Sequence, residues 1–515
     1  MAQSFITPSK IILAALVLIG AVITCAVIAA RDTQTWLGGG PASGGNLPVF
    51  LAPTQLAQAT ADAQKLQEPS ASPTPDAPHT LPTLRADADE YVIQSGDTLN
   101  KIARSFQVSV KAILENNSLE DADLIEVGQV LQIPPPEPGS TGPDFKILPD
   151  SELVYGPASA EFDVGSFVHS QGGYLSTYKE EVEGRQMSGV KIVERVARDF
   201  SVNPRLLLAL LEHQSGWVTQ TSPDEETLEY PLGWFDELRP GLYRQLAWAA
   251  DNLNRGYYMW RVDGVSVWEL ADGNVVPIAP TINAGTAGVQ HFFSQLLGQD
   301  AWEQSVSDHG LYATFLAFFG SPFGYAVEPL LPTDLSQPEM QLPFNEGQTW
   351  YFTGGPHGGW AGGSAWAALD FAPPGQALGC VQSDAWVTAV SDGPVVRTGD
   401  GAVVQDLDGD GFEQTGWTVL YMHVESRERV EEGAYLEAGE QVGHPSCEGG
   451  VSTGTHLHLA RRYNGEWIPA DQDVPFELDG WVSTGQGNEY DGVLIRGDET
   501  VEALEGRQPE NAIER

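Results

Sequence analysis

The spacing of apolar residues changes character from one stretch of the chain to the next, and each change marks a structural unit. Ile11 to Ala30 is an unbroken, uncharged run, IILAALVLIGAVITCAVIAA, long enough as a helix to cross the hydrocarbon core of a bilayer. Lys10 and the amino terminus precede it, an orientation that leaves the rest of the chain outside the cytoplasm. Two readings compete: an uncleaved anchor, or a signal peptide ending at the small residues Ala29 and Ala30. The length of the run favours the anchor.

From Arg31 to Asp89 the apolar pattern disappears into Pro, Ala, Ser, Thr and Gln, densest in PSASPTPDAPHTLP. Such a stretch buries too little apolar area to offset the entropy of ordering it, and it reads as a tether in which His79 is a solvated side chain. Periodicity returns in residues 90–134. A short alternating segment at Tyr91, a helix opening after Gly96, a second amphipathic helix and a closing strand ended by prolines predict a β-α-α-β unit. Residues 135–150 read as a second linker. Residues 151–330 follow a helical period, most clearly in VKIVERVARDFSVNPRLLLALLEHQSGWV, where Asn-Pro starts a new helix. From 342 to 501 the pattern becomes β-branched and aromatic runs between Gly-rich turns, predicting a mainly antiparallel β domain. Residues 502–515 read as a flexible tail. The fold class expected is multidomain α+β.

Composition narrows the partners. Seventy acidic residues against 26 basic ones give a formal charge of −44, which repels nucleic acid and points to a neutral or mixed-charge polymer.

The chemistry concentrates in the β domain. In Thr453-Gly454-Thr455-His456-Leu457-His458-Leu459 the alternation of a strand sends His456 and His458 to one face and the leucines to the other. Upstream, GGPHGGWAGGSAWAALDF carries His357 and Asp370, and the strand-like GWTVLYMHVES carries His423. Imidazole and carboxylate are zinc donors, and a catalytic site takes three of them and keeps a position for water.

These segments resemble the LytM/M23 zinc metallopeptidases, which cut peptides in bacterial cell walls. The long Gly-rich interval between the first two residues is similar to the β-lytic, staphylolysin-type branch. The resemblance implies that His357, Asp370 and His458 are the metal ligands. It also implies that His456 is the general base and His423 the donor to the developing oxyanion, roles that can be exchanged because sequence does not decide which nitrogen reaches which oxygen.

Two further resemblances concern the other units. Residues 90–134 resemble a LysM module, which implies binding of N-acetylglucosamine chains through Gly96, Asp97, Thr98 and Leu99 and the segment at Ile125. The helical region resembles a lysozyme-like lytic transglycosylase core, but its catalytic Glu is replaced by Gln214, and an amide cannot protonate a glycosidic oxygen. Glu212, two residues earlier, is rotated off that face. This predicts an inactive domain, with two readings of Trp217, Trp234, Trp248 and Trp260: the lining of a groove that still holds glycan, or ordinary core aromatics, the commoner place for such residues on helices.

Outside Cys25 the only cysteines are Cys380 and Cys447, so an oxidising compartment permits one internal disulfide; two reduced thiols are the alternative. Asp406, Asp408, Asp410 and Gly411 reproduce the start of a calcium loop, but Trp417 stands where the bidentate Glu belongs, and a solvated hairpin turn is the competing reading. Taken together the sequence predicts a membrane-anchored, extracytoplasmic zinc endopeptidase that hydrolyses peptide bonds of peptidoglycan, its partners being N-acetylglucosamine chains and stem or cross-link peptides. The alternative is a wall-bound scaffold that activates another hydrolase.

Overall fold

The structure is a computed structural model and describes His79 and residues 87–94, 96–106, 108–119, 121, 125–135 and 141–515. The apolar run at Ile11 to Ala30 lies outside the described residues. Among the described residues, no helix is long and apolar enough to cross a membrane.

The β-α-α-β unit forms as its pattern requires. Strands β1 (Asp89–Val92) and β2 (Val130–Ile133) pair antiparallel, and helices α1 (Leu99–Ser105) and α2 (Val110–Asn117) pack against them. Its core consists of Ile93, Leu99, Ile102, Ile113, Leu131 and Ile133 with smaller neighbours. Ser109 caps α2 by accepting from the Ala112 N–H at 3.0 Å.

The helical region follows, with α3 (Val164–Gln171), a hairpin of β3 (Lys179–Val182) and β4 (Arg185–Ser188), α4 (Gly189–Phe200), α5 (Pro204–Ser215) and α6 (Leu242–Arg261). A second hairpin of β5 (Val267–Glu269) and β6 (Val275–Pro277) leads into α7 (Ala284–Ser294), α8 (Gln299–Ser305) and α9 (Leu311–Phe319). The Asn-Pro signal behaves as read: Asn203 accepts from the Arg205 N–H at 2.9 Å and Pro204 takes the first helical position. At the other end Gly216, at φ 67°, closes α5 by donating to the Glu212 carbonyl.

Strands β7 (Thr349–His357), β8 (Ala368–Ala372), β10 (Gly393–Gly399), β11 (Ala402–Asp406), β12 (Trp417–Met422), β13 (Tyr435–Leu436) and β15 (Leu457–Tyr463) join one antiparallel sheet. Its order is β13-β10-β11-β12-β15-β8-β7-β21, with β21 (Ala512–Glu514) on the edge and β16 (Glu466–Trp467) paired to β15. A separate pair, β9 (Val387–Thr388) and β14 (Gln441–Gly443), sits beside it, and β17 (Glu477–Leu478), β18 (Trp481–Gly485), β19 (Gly492–Arg496) and β20 (Glu499–Glu502) make a four-stranded sheet.

Both faces of the large sheet are covered, which is why its central strands are buried along their whole length. Leu369, Phe371, Val419, Tyr421, Leu457 and Leu459 point into the β domain's own core. The alternate positions Ala368, Leu420, Met422 and Ala460 belong to the core of the helical region. An antiparallel sheet usually leaves one face to solvent; here the helices take its place.

Three expectations about flexible segments are corrected. Within the second linker, Ile147 and Leu148 are buried and the Gly142 N–H donates to the Pro277 carbonyl at 2.7 Å, so this stretch is part of the helical core. The carboxy-terminal residues are not frayed: β21 pairs with β7, Ile513 is buried, and Arg515 pairs with Asp479 at 3.1 Å. His79 is not solvated: its ring lies 4.0 Å from that of Trp260 and its Nδ1 pairs with Asp263 at 2.5 Å.

Candidate metal centre

Strand register brings the predicted ligands together. His458 stands opposite Asp370 on one side and Met422 on the other, and side chains directly opposite on one face are close enough to interact. His357 ends β7 after two register irregularities, between Phe352 and Gly354 and between Gly354 and His357. These bulges re-aim the end of the strand towards the site. Gly354 is required there, because a Cβ would lie 2.8 Å from Asp370 Oδ2. His423 follows β12 with φ 63°, a left-handed conformation costly for a residue with a Cβ. The Ser446 N–H and hydroxyl hold its carbonyl at 2.7 and 2.9 Å.

Each histidine has one ring nitrogen on a backbone carbonyl. His357 Nδ1 is 2.8 Å from the Gly355 oxygen and His458 Nε2 is 3.1 Å from the Gly359 oxygen. His456 Nδ1 is 2.7 Å from the Gly454 oxygen and His423 Nδ1 is 3.0 Å from the Glu448 oxygen. A carbonyl has no proton to give, so the nitrogen facing it is the N–H and the opposite nitrogen of a neutral ring is a lone pair.

His357 Nε2 and His458 Nδ1 therefore turn lone pairs towards each other at 3.0 Å, and towards Asp370 Oδ1 at 3.2 and 3.3 Å. That carboxylate oxygen is buried and completes no hydrogen bond. Three electron-pair donors this close need a cation between them, either an added proton or a metal. The three ligand atoms lie within 4.8 Å of one another, and two imidazoles with a carboxylate are a donor set zinc accepts. The residues fit the ion, and the carbonyls of Gly355 and Gly359 are the outer partners that fix ring tautomers at such sites.

Electrostatics agree with that fit. Burial pushes the Asp370 carboxyl up, but His357 and His456 outweigh it and hold it well below the usual range. Burial draws His357 down, and the Asp370 charge reverses the shift, so its pKa is raised. Burial lowers His458.

His423 and His456 flank the ligands with ring centroids 4.6 Å apart. Burial pushes His423 down to about 4, with His456 and His458 adding to the effect. It is neutral at neutral pH, and its Nδ1–H is committed to Glu448. In the neutral ring Nε2 is then an acceptor, which differs from the donor to an oxyanion that the resemblance implied. His456 differs in having Asp370 Oδ2 3.7 Å from its Nε2.

Two neighbours carried no sequence signal. The Tyr490 ring stacks on His357 at 4.3 Å and 20°, and Glu489 Oε1 accepts from the Gly358 N–H at 3.3 Å. Both sit in the turn between β18 and β19, which the chain folds back over the end of β7; the Gly355 N–H donates to the Tyr490 carbonyl at 2.8 Å.

Cys380 and Cys447 are joined as a disulfide. The bridge pins the segment around Val381 beside Thr455, whose hydroxyl accepts from the Val381 N–H at 2.9 Å. Asp406, Asp408 and Asp410 converge, but on their own turn: Asp406 accepts from the N–H groups of Asp408, Gly409 and Gly411. Asp410 accepts from the Phe412 N–H and the Thr415 hydroxyl. The β11–β12 hairpin accounts for these aspartates, and Trp417 opens β12 where a bidentate carboxylate would be needed.

At the glycan-loop positions of the β-α-α-β unit, Gly96 has φ 93° and Thr98 accepts from the Lys101 N–H at 3.2 Å. Asp97 is occupied by the Tyr91 hydroxyl at 2.8 Å and the Gln94 N–H at 2.7 Å. Ile125 packs half-buried on the core. The Leu99 side chain is a core residue.

The groove expected on the helical region is also corrected. Trp217 and Trp260 are core residues. Trp234 stacks on Trp248 at 4.5 Å, Arg239 covers Trp234 at 4.8 Å, and Phe292 lies 5.5 Å from Trp248. The half-buried rings of Trp234 and Trp248 stack on one another rather than standing as separate walls of a groove. Gln214 Nε2 donates to the Leu232 carbonyl at 2.8 Å, and the Glu212 carboxylate accepts from the N–H groups of Val218 and Thr219 and from the Thr219 hydroxyl.

A covered antiparallel sheet carrying a His-Asp-His cluster flanked by two further histidines is an arrangement able to hold a catalytic metal ion. The comparisons give the family. Residues 374–470 match the model of peptidase family M23, residues 91–134 that of the LysM domain, and residues 146–331 that of the LasA N-terminal domain. The chain carries a peptidase family M23 domain and a LysM domain. The family match begins after His357 and Asp370, so strand register is what ties those two residues to the rest.

Protease LasA of Pseudomonas aeruginosa is 26% identical over 348 residues, covering 62% of this chain and 74% of that protein. The beta-lytic metalloendopeptidase of Achromobacter lyticus is 26% identical over 159 residues, 30% of this chain and 40% of that protein. Among solved structures, the M23 metalloprotease pseudoalterin is 22% identical with a TM-score of 0.29, covering 35% of this chain and 99% of its own. The helical region thus has its family match in the LasA N-terminal domain.

Proposed function

We propose that the chain is a zinc-dependent endopeptidase that hydrolyses peptide bonds of peptidoglycan outside the cytoplasm, tethered through Ile11 to Ala30 and brought to the wall by its LysM domain. The observation that carries the reading is the convergence of the His357, Asp370 and His458 lone pairs beside His456, whose Nε2 lies 3.7 Å from Asp370 Oδ2, and His423, whose ring packs on that of His456.

Zinc bound by these three residues would polarise a peptide carbonyl and make a water nucleophilic at neutral pH. The chain supplies the rest. His456 Nε2 takes the proton from the attacking water, and Asp370 Oδ2 stabilises the resulting imidazolium, which then delivers the proton to the leaving amine. His423, neutral and with its lone pair inward, accepts a hydrogen bond from the same water and orients it. Tyr490 shields one face of His357 from solvent.

Support for the polymer comes from the LysM domain and from relatives. Residues of the chain are 47% identical over 120 residues to the N-acetylmuramoyl-L-alanine amidase XlyA of Bacillus subtilis, covering 22% of this chain and 39% of that protein. That relative is, by its name, an amidase of N-acetylmuramoyl-L-alanine. The test is digestion of purified peptidoglycan of defined cross-link chemistry, with the new amino termini identified by mass spectrometry. New termini that vanish on chelation and return with zinc support the reading. No new termini from a zinc-loaded chain would overturn it in favour of a wall-binding scaffold.

A further inference from the structure

The loop between the first two ligands, residues 358–367, is gripped by the helical region at two points, and both lead to the backbone group that orients His458. At the tip, the Gly363 N–H donates to Asp251 Oδ1 of α6 at 2.7 Å. The approach is so close that a Cβ on Gly363 would fall 1.9 Å from the Asp251 carbonyl oxygen, and one on Gly362 would fall 3.1 Å from Arg255. Within the loop, the Gly359 N–H donates to the Ala365 carbonyl at 3.0 Å and the Trp360 N–H to the Ser364 hydroxyl at 2.9 Å. The tip and Gly359 therefore move as one unit.

The second grip is from below. A Cβ on Gly359 would meet the Trp467 ring at 2.6 Å. Trp467 is buried, and its backbone N–H donates to the Tyr258 hydroxyl of the same helix at 2.9 Å. The Gly359 carbonyl, fixed from both sides, receives the His458 Nε2–H at 3.1 Å. It thereby decides that Nδ1 is the free nitrogen and where it points.

We propose that helix α6 is a positioning element of the metal centre, with Asp251 acting through Gly363 and Gly359 on His458. The loop that orients one ligand is held by the helical region. Asp251 touches neither metal nor substrate and is a positioning residue. The inference rests on His458 being a zinc ligand.

The experiment uses the full chain and zinc itself, with affinity read by competition against a chromophoric chelator. Asp251→Ala is expected to weaken zinc binding on the order of tenfold, the size of effect seen when groups behind a ligand are lost, and to lower kcat with KM little changed. Asp251→Asn keeps the acceptor oxygen and is expected to restore both. Tyr258→Phe, which removes the second grip, is expected to weaken zinc in the same direction. Zinc affinity in Asp251→Ala equal to that of the parent chain overturns the proposal, as does an Asn variant as weak as Ala. A fall in the melting temperature of the metal-free chain with zinc affinity intact assigns Asp251 a merely structural role and also overturns it. A parent chain that binds no zinc would instead remove the metal-centre reading itself, and this inference with it.

Discussion

His458 and Asp370 are cross-strand partners on β15 and β8, and their facing atoms, Nδ1 and Oδ1, lie 3.3 Å apart with no proton between them in the neutral ring. The pairing places two candidate ligands on neighbouring strands inside the sheet, where backbone hydrogen bonds on both sides hold the spacing. The third ligand is delivered by a bulged strand end.

That relationship sets the outcome of ligand substitution. Asp370→Ala and His458→Ala are each expected to lose zinc, because two remaining donors do not retain the ion. His456→Ala is expected to keep zinc and lose most turnover, by about a hundredfold or more for removal of a general base. Metal content by atomic emission, measured beside turnover, checks both. Zinc lost from His456→Ala but kept by His458→Ala would reverse the assignment within the pair.

The LysM domain has its own core, separate from the helical and β cores. A fragment of residues 87–135 is expected to sediment with peptidoglycan or chitin, unaffected by chelator. A folded fragment that stays in the supernatant with both polymers would refute glycan binding.

Gln214→Glu is expected to release no anhydromuropeptides from peptidoglycan, in the full chain with the metal centre disabled by Asp370→Ala. The side chain at this position bonds the Leu232 carbonyl, and the nearby tryptophans stack among themselves. Anhydro products detected by mass spectrometry in this variant would mean that a working glycan groove exists after all.

His291 on α7 gives the helical region a defined acid sensitivity. Buried against the Asn252 carbonyl at 2.9 Å, it is pushed by burial from 6.5 to about 4. The folded pKa is depressed, so the unfolded chain binds the proton first. The contribution to stability is complete above pH 6.5 and is lost as pH falls towards 4, amounting to roughly 3 kcal/mol. His291→Gln retains an N–H donor and is expected to flatten the dependence of melting temperature on pH across that window. An unchanged slope would show that other groups carry it.

Much of the site was legible because its signals are local. Period two in Thr455 to Leu459 put His456 and His458 on one face, and the Asn203-Pro204 helix start and the β-α-α-β pattern needed only a few neighbouring residues. His79 and residues 502–515 misled because their composition is that of a tether, whereas their order comes from distant partners, Trp260 for the one and β7 for the other. The tryptophans misled for a related reason: residue type announces a large ring, but only packing says whether its faces are free.

The sequence by itself determined the candidate donor types, their order along the chain, the two cysteines able to pair and the character of the periodic units, since each depends on residue identity and short-range spacing. Tertiary structure alone decided which nitrogen of each imidazole is free, because carbonyls of Gly355, Gly359, Glu448 and Gly454 make that choice through hydrogen bonds. It also decided that Tyr490 covers His357 and that α6 grips the loop beneath His458. Those contacts join residues far apart in the chain, and their distances follow from how the two cores pack on opposite faces of one sheet.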